Sequence, residues 1–491
     1  MKYFLMTILT SLVLSSGVFA DEQTFDLVIN DGRVIDPESG LNEIRNVAIT
    51  QGTIVAITSE ALKGKRQINA QGLIVSPGFI DLHAHGQDPF GAKLQAQDGV
   101  TSQLELERGV YPVAPWYLSR EGKAPINFGA TVGHIGSRIN AITGLVPEGL
   151  VHSPDEMAKN FSRRDWVDNQ ADESVLKDIH SNIKEGLSEG ALGVGFGINY
   201  TPGATREEIH SVFKVAADEG VTSFAHSRGA GLQEQSGSID AMQELLANVA
   251  STGGSLHVVH IGSSGLSKVP VILEMFDNAR ANGIDVTTEV YPYTAFSTFI
   301  GAALFDEGFQ KKLGIDYTDF QHPETGEFFT EASFKKLRAK APGTMIVGYG
   351  MTEDNVSAAI AHPGVIIASD GVPYVNGKAH PRGAGTYSRV LGRYVRELKV
   401  LTLFDAIKKM SYLPAKRLED AVPQMKNKGR IKIGADADIV IFDADTVKDK
   451  ATFKDPALPS VGIIHVLVGG EFIVKDTKYL EGVFPGKAIR R

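Results

Sequence analysis

The chain has 491 residues, of which 43% are hydrophobic, 22% are charged and none is cysteine. This composition is that of a globular protein longer than one small domain, and it excludes collagen-like, coiled-coil and disordered chains. The formal net charge of −9 disfavours nucleic acid and anionic membranes as partners, and the lack of cysteine excludes disulfides and thiolate zinc sites.

Residues 1–20 have the pattern of a signal peptide. Lys2 provides a positive charge, residues 3–14 are mostly apolar, and the V-F-A sequence before Asp21 forms a cleavage site. The apolar run is shorter than the roughly 20 residues that a transmembrane helix needs. We therefore expect a periplasmic or secreted protein, cleaved near Ala20 and without a stable membrane anchor; a retained signal anchor is the alternative.

Short strands of alternating polarity are predicted at both ends of the remaining chain. FDLVIND and NVAITQGTIVAI show this alternation near the amino end, and ADADIVIFDADT and GIIHVLVGG show it near the carboxyl end. Because the termini of a domain commonly lie close together, we expect residues 21–75 and 416–491 to form one β-sandwich domain.

Residues 76–415 alternate short apolar strands with amphipathic helices, which is typical of βαβ units on a parallel sheet. Eight such strands predict an α/β fold of the (β/α)8 TIM-like class. An open doubly wound sheet is the alternative, but the glycine-rich phosphate fingerprint that favours it is missing. Residues 302–343 interrupt the alternation between strands seven and eight and are predicted to form a lid. The strands are predicted at residues 78–83, 100–107, 126–132, 191–197, 221–226, 255–260, 284–291 and 365–370.

Four histidines and one aspartate follow or end predicted barrel strands, at the face where the active sites of such barrels form. Imidazole and carboxylate are ligands for zinc and other first-row divalent ions, so the sequence predicts one or two such ions. For each histidine alone, a hydrogen-bonded buried role is the alternative. His257 is predicted to lie on the opposite strand face and to bind no metal. The five candidate ligands are His83, His85, His226, His260 and Asp370.

These positions and the segments PGFIDLHAHG, ASDG and GRIKIGADADIVIFD resemble the amidohydrolase superfamily over nearly all of the chain that follows the predicted signal peptide. TPGAT, YPYTAFS and residues 380–382 are similar to the D-aminoacylases, which are N-acyl-D-amino-acid deacylases. The resemblance implies a distorted barrel with a β-sandwich and one or two divalent metals. It implies that His83, His85 and Asp370 occupy the first metal position, and that His226 and His260 occupy the second.

The group that bridges the two metal positions departs from the family pattern. Relatives use a carboxylated lysine on strand four or a cysteine on strand two, and this chain has neither. Strand two, TSQLELERG, offers Glu105 and Glu107 on one face, and we predict that Glu107 bridges because it lies nearer the carboxyl end. Glu105 is then expected to act mainly through stability. The alternatives are that the two roles are exchanged, or that Glu107 only pairs with an arginine.

The resemblance implies an amidohydrolase that acts on non-peptide carbon–nitrogen bonds. The expected reaction is hydrolysis of the amide of an N-acyl-D-amino acid by metal-bound hydroxide, with Asp370 as general base and general acid. The family match places the substrate carboxylate on Arg382, assisted by Tyr291 and Ser297. A packing role for Tyr291 and a surface role for Arg382 are the alternatives.

Arg228 is a candidate for recognising the side chain of the substrate. Relatives carry a lysine where this chain has Gly262, and Arg228 is expected either to restore that contact or to bind a second carboxylate. The second case matches the N-acyl-D-glutamate deacylase type. A solvated surface charge is the alternative for Arg228. Two other functions stay open: a hydrolase of the hydantoinase or isoaspartyl dipeptidase type, and an exported binding protein with a degenerate metal site. The oligomeric state cannot be predicted.

Overall fold

The computed structural model describes residues 24–147 and 163–491, so the predicted signal peptide lies outside the described residues. The described strands form three sheets, of eight, nine and three strands. In chain order, the strands are β1 Phe25–Asp36, β2 Leu41–Thr50, β3 Thr53–Thr58, β4 Gly64–Asn69, β5 Ile74–Pro77, β6 Phe79–Asp81, β7 Val100–Val110, β8 Asn127–Gly133, β9 Gly193–Gly197, β10 Thr222–His226, β11 Ser255–Val258, β12 Asp285–Val290, β13 Ala295–Phe299, β14 Phe320–Gln321, β15 Met345–Tyr349, β16 Val365–Ile367, β17 Ile439–Phe442, β18 Ile463–Val468, β19 Glu471–Lys475 and β20 Lys478–Tyr479.

The eight-stranded sheet is a parallel barrel. Its strands pair in the order β6–β7–β8–β9–β10–β11–β12–β16. Just beyond the ends of β6 and β16, Ala84 pairs in parallel with Gly371, which brings the two edges of the sheet together. The predicted (β/α)8 barrel is therefore confirmed, and an open doubly wound sheet is excluded.

Amphipathic helices separate the barrel strands. The helix Arg206–Asp218 buries Ile209 and Val212 on one face, and the Thr205 side chain accepts a hydrogen bond from the Glu208 backbone N–H at its start. The other helices are Pro89–Gln97, Val113–Leu118, His134–Thr143, Asp165–Asp168, Glu173–Ser188, Ser238–Thr252, Ile261–Gly265, Val269–Ala281, Phe309–Leu313, Glu331–Lys340, Glu353–Ala361, Arg382–Arg389, Leu403–Ile407 and Leu413–Leu418, with π-helical turns at Val390–Glu397 and Lys408–Tyr412. None of the helices in the described ranges is long and apolar enough to cross a membrane.

Strands from both ends of the chain form the nine-stranded sheet. Its order is β20–β19–β18–β17–β5–β1–β2–β3, with β4 paired to β1. The two ends join at the antiparallel pair β5–β17, where Val75 lies opposite Ile441. Leu27 and Ile439 are among the buried residues of one core cluster in this sheet, so the alternating patterns at the two chain ends build one structure. The domain bounds at residues 75 and 415 stay predictions.

The third sheet lies between the seventh and eighth barrel strands, within and on both sides of the predicted insertion. This sheet is antiparallel, with the order β13–β15–β14. Its strands β13 and β15 lie just outside the predicted bounds of 302–343, because YPYTAFS runs directly into β13. Phe305, Phe309, Phe320 and Phe334 pack together under it. The motion of a lid stays a prediction.

Candidate metal centre

Two groups of side chains, each able to hold a metal ion, meet at the carboxyl end of the barrel. In each group, one ligand atom per residue lies within 4.8 Å of the others. The structure thus brings together all six predicted ligands. The first group consists of His83, His85 and Asp370, and the second group consists of Glu107, His226 and His260.

Strand ends and tight turns position these ligands. His83 and His85 follow β6, and their rings meet with the two Nε2 atoms 3.0 Å apart. His260 and Asp370 follow β11 and β16 with left-handed φ angles of 35° and 49°. Such a backbone costs roughly 1–3 kcal/mol in a residue other than glycine, and proteins commonly retain that strain at functional sites.

The carboxylate of Glu107 lies between the two groups. Its Oε2 atom is 3.2 Å from His83 Nε2 and 3.0 Å from His85 Nε2. Its Oε1 atom is 2.8 Å from His226 Nδ1 and 3.9 Å from His260 Nε2. Burial raises the pKa of this carboxyl, but the four histidines around it hold it well below its ordinary value. An ionised carboxylate with one oxygen towards each group has the arrangement that a bridging ligand requires.

Glu105 faces away from the space between the groups. Its Oε2 atom is 2.7 Å from Nδ1 of His85, and its side chain is fully buried. The expectation that Glu105 acts mainly through stability stays a prediction, and the structure shows that this carboxylate contacts a predicted metal ligand directly. It accepts a hydrogen bond from the ring nitrogen opposite the one that faces Glu107.

Glu289 contacts the outer ring nitrogen of His83 as Glu105 contacts that of His85, and the sequence analysis missed it. Its Oε1 atom is 2.5 Å from His83 Nδ1, and its Oε2 atom is 3.0 Å from His257 Nε2. Glu289 lies on β12 two residues before Tyr291, so the alternation used for Glu105 could have identified it. His257 belongs to neither candidate metal group. It is nevertheless tied to the site through Glu289.

Arg382 contacts the aspartate of the first group. Its Nη2 atom is 2.9 Å from Asp370 Oδ1, and its guanidinium lies over the ring of Tyr291 at 4.7 Å. Burial raises the pKa of Asp370, but the positive charges of Arg382 and His83 hold it well below its ordinary value. Nε and Nη1 of Arg382 are buried and make no hydrogen bond within the described residues. These two donors are suited to an anion.

Of the other predicted substrate contacts, the structure brings one to the site and directs one away from it. Ser297 lines the cavity beside the metal groups. Arg228 needs correction, because its guanidinium donates hydrogen bonds to the Glu244 carboxylate at 2.9–3.1 Å and to the Ala204 carbonyl at 2.7 Å. The Glu244 side chain is only 7% exposed, so this pair is a structural contact and not a substrate contact.

A cavity extends from the metal groups towards the three-stranded sheet. Arg108, which follows Glu107, is the single lysine or arginine among the lining residues that the structure describes. The wall opposite the metal groups is apolar and includes Leu266, Phe296, Phe299, Leu304, Leu313, Ile315 and Met345. The cavity therefore combines a polar floor, an apolar wall and one positive charge.

The donors present fit divalent metal ions. Imidazole nitrogens of neighbouring histidines face each other at 3.0 Å, between His83 and His85, and at 3.1 Å, between His226 and His260. Close pairs of buried nitrogen ligands with an ionised carboxylate between them suit cations of the first-row divalent series. Divalent ions held by these residues would acidify a bound water and polarise a carbonyl group beside the Asp370–Arg382 pair.

Comparison with known proteins matches residues 66–474 to the model of the Amidohydrolase family. The chain is 32% identical to N-acyl-D-glutamate deacylase of Alcaligenes xylosoxydans xylosoxydans, over 96% of this chain and 97% of the relative. It is 26% identical to D-aminoacylase of the same organism, over 96% and 99% of the two chains. A crystal structure of N-acyl-D-glutamate deacylase from Bordetella bronchiseptica, complexed with zinc and a phosphonate inhibitor, superposes with a TM-score of 0.78 at 26% identity and covers 96% of this chain and all of that one.

Proposed function

The chain belongs to the amidohydrolase family, and from this we propose that it is a metal-dependent N-acyl-D-amino-acid deacylase. The proposed reaction hydrolyses the amide bond to release a carboxylic acid and a free D-amino acid. One observation carries the proposal: two groups of metal ligands share the Glu107 carboxylate at the floor of a cavity, beside the Asp370–Arg382 pair. The relatives named above support the D-amino-acid class.

We assign the metal ligands as the two groups describe them. His83, His85 and Asp370 would hold one ion, His226 and His260 would hold the other, and Glu107 would contact both. When bound, divalent ions supply Lewis acidity, which lowers the pKa of a bound water and polarises a carbonyl oxygen. Zinc is the proposed ion because histidine and carboxylate ligands suit it and because the Bordetella relative was crystallised with zinc.

Asp370 is the proposed proton carrier. Its low pKa keeps the carboxylate ionised at neutral pH, and Arg382 fixes its orientation through Oδ1. The carboxylate accepts a proton from the attacking water and delivers it to the amide nitrogen. This second transfer is required because an amine leaves poorly unless it is protonated.

The substrate α-carboxylate is proposed to bind Arg382. Nε and Nη1 of this guanidinium are donors without a partner in the described residues, each able to donate to a carboxylate oxygen, and Tyr291 lies directly against the guanidinium. Ser297 and Asp370, the residue that Arg382 contacts, both line the cavity, and Ser297 is the third proposed contact. The apolar wall would then face the acyl group.

Recognition of a side-chain carboxylate is proposed to involve Arg108. An acidic substrate such as N-acyl-D-glutamate carries a second carboxylate, which needs a cation within the cavity. Arg228 cannot provide it while it is bound to Glu244, whereas Arg108 lines the cavity beside Glu107. We therefore include N-acyl-D-glutamate, the substrate named for the 32% identical relative, among the proposed substrates.

Export is proposed from the sequence pattern of residues 1–20 alone. Amino-terminal sequencing of the protein expressed in a bacterial host would test it. The proposal requires mature protein that begins near Asp21 in the periplasm or the medium.

A substrate screen tests the proposed function. Purified protein loaded with zinc is assayed for release of free amino acids from N-acetyl-D- and N-acetyl-L-amino acids, and in parallel against hydantoins and β-aspartyl dipeptides. The proposal expects hydrolysis of the D-series only. Hydrolysis of cyclic amides alone would establish the hydantoinase alternative, and binding of zinc without hydrolysis of any compound would favour a binding protein.

A further inference from the structure

The segment YPYTAFS, residues 291–297, runs from the end of β12 into β13, the first strand of the three-stranded sheet. It packs against the helix that begins at Arg382 and ends at Arg389, which we call the Arg382 helix. The guanidinium of Arg382 lies over the ring of Tyr291 at 4.7 Å, and that of Arg389 lies over the ring of Tyr293 at 4.8 Å. Two arginine–tyrosine contacts therefore hold the two ends of this helix against the segment.

Backbone carbonyls of the segment also accept hydrogen bonds from the two arginines. The Pro292 carbonyl accepts from Nε of Arg389 at 2.7 Å, and the Ser297 carbonyl accepts from Nη2 of Arg382 at 3.4 Å. The same Nη2 atom is 2.9 Å from Oδ1 of Asp370. The position of the Arg382 guanidinium therefore depends on the segment as well as on the aspartate.

His380 connects the start of the Arg382 helix to a third carbonyl of the segment. Its Nε2 atom is 3.0 Å from the carbonyl of Ala295, the first residue of β13, and its Nδ1 atom is 3.1 Å from the backbone nitrogen of Arg382. A carbonyl can only accept and a backbone N–H can only donate. These two partners therefore fix the neutral imidazole with its proton on Nε2. Burial and the positive charge of Arg382 hold the pKa of His380 well below its ordinary value, which agrees with a neutral ring.

Water cannot replace either hydrogen bond, because His380 is 0% exposed. Its ring packs edge-on against Tyr293 and Phe453, with ring centroids 5.3 and 5.1 Å apart. The N–H of Arg382 lies in the first turn of its helix, where a backbone donor has no acceptor within the helix. His380 thus satisfies this donor and joins it to β13 through one rigid side chain.

We propose that His380 is a positioning residue for the α-carboxylate of the substrate: it ties the start of the Arg382 helix to β13, so that the three-stranded sheet and the carboxylate-binding arginine keep one relative position. His380 is not among the described residues that line the cavity, so it acts through Arg382. The inference rests on the proposed function, because it takes Arg382 as the residue that binds the α-carboxylate.

Three substitutions of His380 separate its two hydrogen bonds. His380→Phe keeps a ring among the aromatic neighbours and loses both hydrogen bonds. His380→Asn places an oxygen where the imidazole has Nδ1, so it can still accept from the Arg382 N–H. His380→Gln places an amide nitrogen where the imidazole has Nε2, so it can still donate to the Ala295 carbonyl. Each of the two amides should therefore retain part of the function that His380→Phe loses.

A pair of substrates reads out the position of Arg382. Zinc-loaded full-length variants are assayed on N-acetyl-D-leucine and on N-acetyl-D-leucinamide, which lacks the α-carboxylate. The ratio of the two kcat/KM values reports recognition of this carboxylate, because both substrates require the same Asp370 chemistry. We expect His380→Phe to lower the ratio about 10-fold or more, and His380→Asn and His380→Gln to lower it less. In an Arg382→Met background, His380→Phe should lower the ratio no further.

His465 provides the matched control. It is 6% exposed, and its Nδ1 atom also accepts a hydrogen bond from a backbone N–H, that of Asp476 at 3.3 Å. It lies on β18 of the nine-stranded sheet. His465→Phe should leave the ratio unchanged, which separates the effect of His380 from that of losing any buried histidine.

Hydrogen exchange followed by mass spectrometry tests the connection between β13 and the helix without turnover. Peptides that cover residues 295–299 and 382–389 are compared between wild type and the variants. Loss of a tie between two elements lowers the free energy of opening both of them locally. We expect His380→Phe to exchange faster in both peptides, and His465→Phe to exchange in both as wild type does.

Three results would overturn the inference. An unchanged substrate ratio in His380→Phe would mean that the histidine only packs, and unchanged exchange in both peptides would mean that it does not join the two elements. A further fall of the ratio in the Arg382→Met background would mean that His380 acts independently of the arginine. Failure of the proposed function is distinguishable: faster exchange in both peptides of a protein that hydrolyses no N-acyl-D-amino acid would uphold the tie between β13 and the helix and refute the proposed function.

Discussion

Glu105 and Glu107 are two residues apart on β7, and their neighbours give them different tasks. Glu107 directs one oxygen towards each metal group, whereas Glu105 contacts the outer nitrogen of His85. The residue type and the strand face together therefore do not determine the role of a side chain. Its depth along the strand and the ring nitrogen that it meets decide between bridging a metal pair and orienting a ligand.

Replacement of the bridge should affect metal content and rate together. Glu107→Ala removes the carboxylate that both groups contact and leaves four buried imidazoles without a shared anion. We expect loss of at least one zinc per chain and a fall in kcat/KM of several orders of magnitude, measured by metal analysis and amide hydrolysis on the same preparation. Glu105→Gln should retain both ions at saturating zinc. Full activity in Glu107→Ala would contradict the bridging role.

Replacement of Arg108 and replacement of Arg228 should have different effects on substrate specificity. Arg108→Met should lower kcat/KM for N-acetyl-D-glutamate by about 10-fold or more and leave N-acetyl-D-leucine nearly unchanged, because only the acidic side chain needs a cation. Arg228→Met is the matched control, since its guanidinium is bound to Glu244 outside the cavity lining. Equal losses on both substrates in Arg108→Met would reject recognition of the side chain by this residue.

Single residues also show what the sequence could not predict. The histidines and Asp370 were found because they fall at strand ends, which is a property of the pattern. The ion pair between Arg228 and Glu244 joins positions 16 residues apart, and no periodicity of the sequence predicts it. The alternation of side chains along β12 could have identified Glu289, but its contact with His83 spans 206 residues of chain.

Among the elements, barrel strands were easier to predict than their surroundings. Each of the eight observed strands overlaps a predicted one, because short apolar runs between amphipathic helices leave few alternatives. The three-stranded sheet was not predicted. Its strands β13 and β15 pair across an insertion of about 50 residues, and β14 has only two residues, Phe320 and Gln321. Pairing over such a distance depends on packing of the phenylalanine cluster beneath it.

A buried lysine at the base of β16 predicts a pH dependence of stability. Lys409 lies on a π-helical turn, is 3% exposed, and donates hydrogen bonds to the carbonyls of His362 and Val365. Burial lowers its pKa from 10.5 to about 8. The unfolded chain therefore binds the additional proton between these values, so this lysine's contribution to stability is complete above pH 10.5 and is lost as pH falls through 8.

The measurement compares wild type with Lys409→Met by urea unfolding at pH 7.5, 9 and 10. The free energy of unfolding of wild type should rise relative to the variant by about 1 kcal/mol per pH unit between pH 8 and 10. A difference independent of pH would show that Lys409 keeps an ordinary pKa. Lys408→Met serves as a control, because Lys408 precedes Lys409 on the same turn but is not among the buried residues.

At the scale of the whole molecule, the last residues of the chain return to the barrel. Ile489 donates its backbone N–H to Phe128 at 2.7 Å, and Phe128 donates to Lys487 at 3.1 Å. The buried Tyr117 hydroxyl donates to the Ile489 carbonyl at 2.7 Å. The sequence FPGKAIRR has no strand pattern, so its docking against β8 could not be predicted, although the joining of the two chain ends in one sheet could.

Deletion of residues 485–491 should destabilise the whole protein. It removes the buried Ile489 side chain and the nearer acceptor of the buried Tyr117 hydroxyl, which keeps only the Gly190 carbonyl at 3.4 Å, and a poorly satisfied buried group costs up to about 1–3 kcal/mol. We expect a fall in Tm of several degrees in calorimetry with zinc present at saturation. The substitution Arg491→Ala should change Tm much less, because this side chain loses only a partly exposed ion pair with Glu219. An unchanged Tm in the deletion would show that the tail is not part of the folded unit.

The central claim is that the two metal groups serve the hydrolysis of N-acyl-D-amino acids. The most direct measurement is kcat/KM for N-acetyl-D-glutamate and N-acetyl-L-glutamate with metal-free protein, with zinc-reconstituted protein, and with zinc-reconstituted Asp370→Asn. The account predicts hydrolysis of the D-enantiomer only, dependent on zinc and reduced by orders of magnitude in Asp370→Asn. Equal rates on both enantiomers, or full activity in metal-free protein, would contradict it.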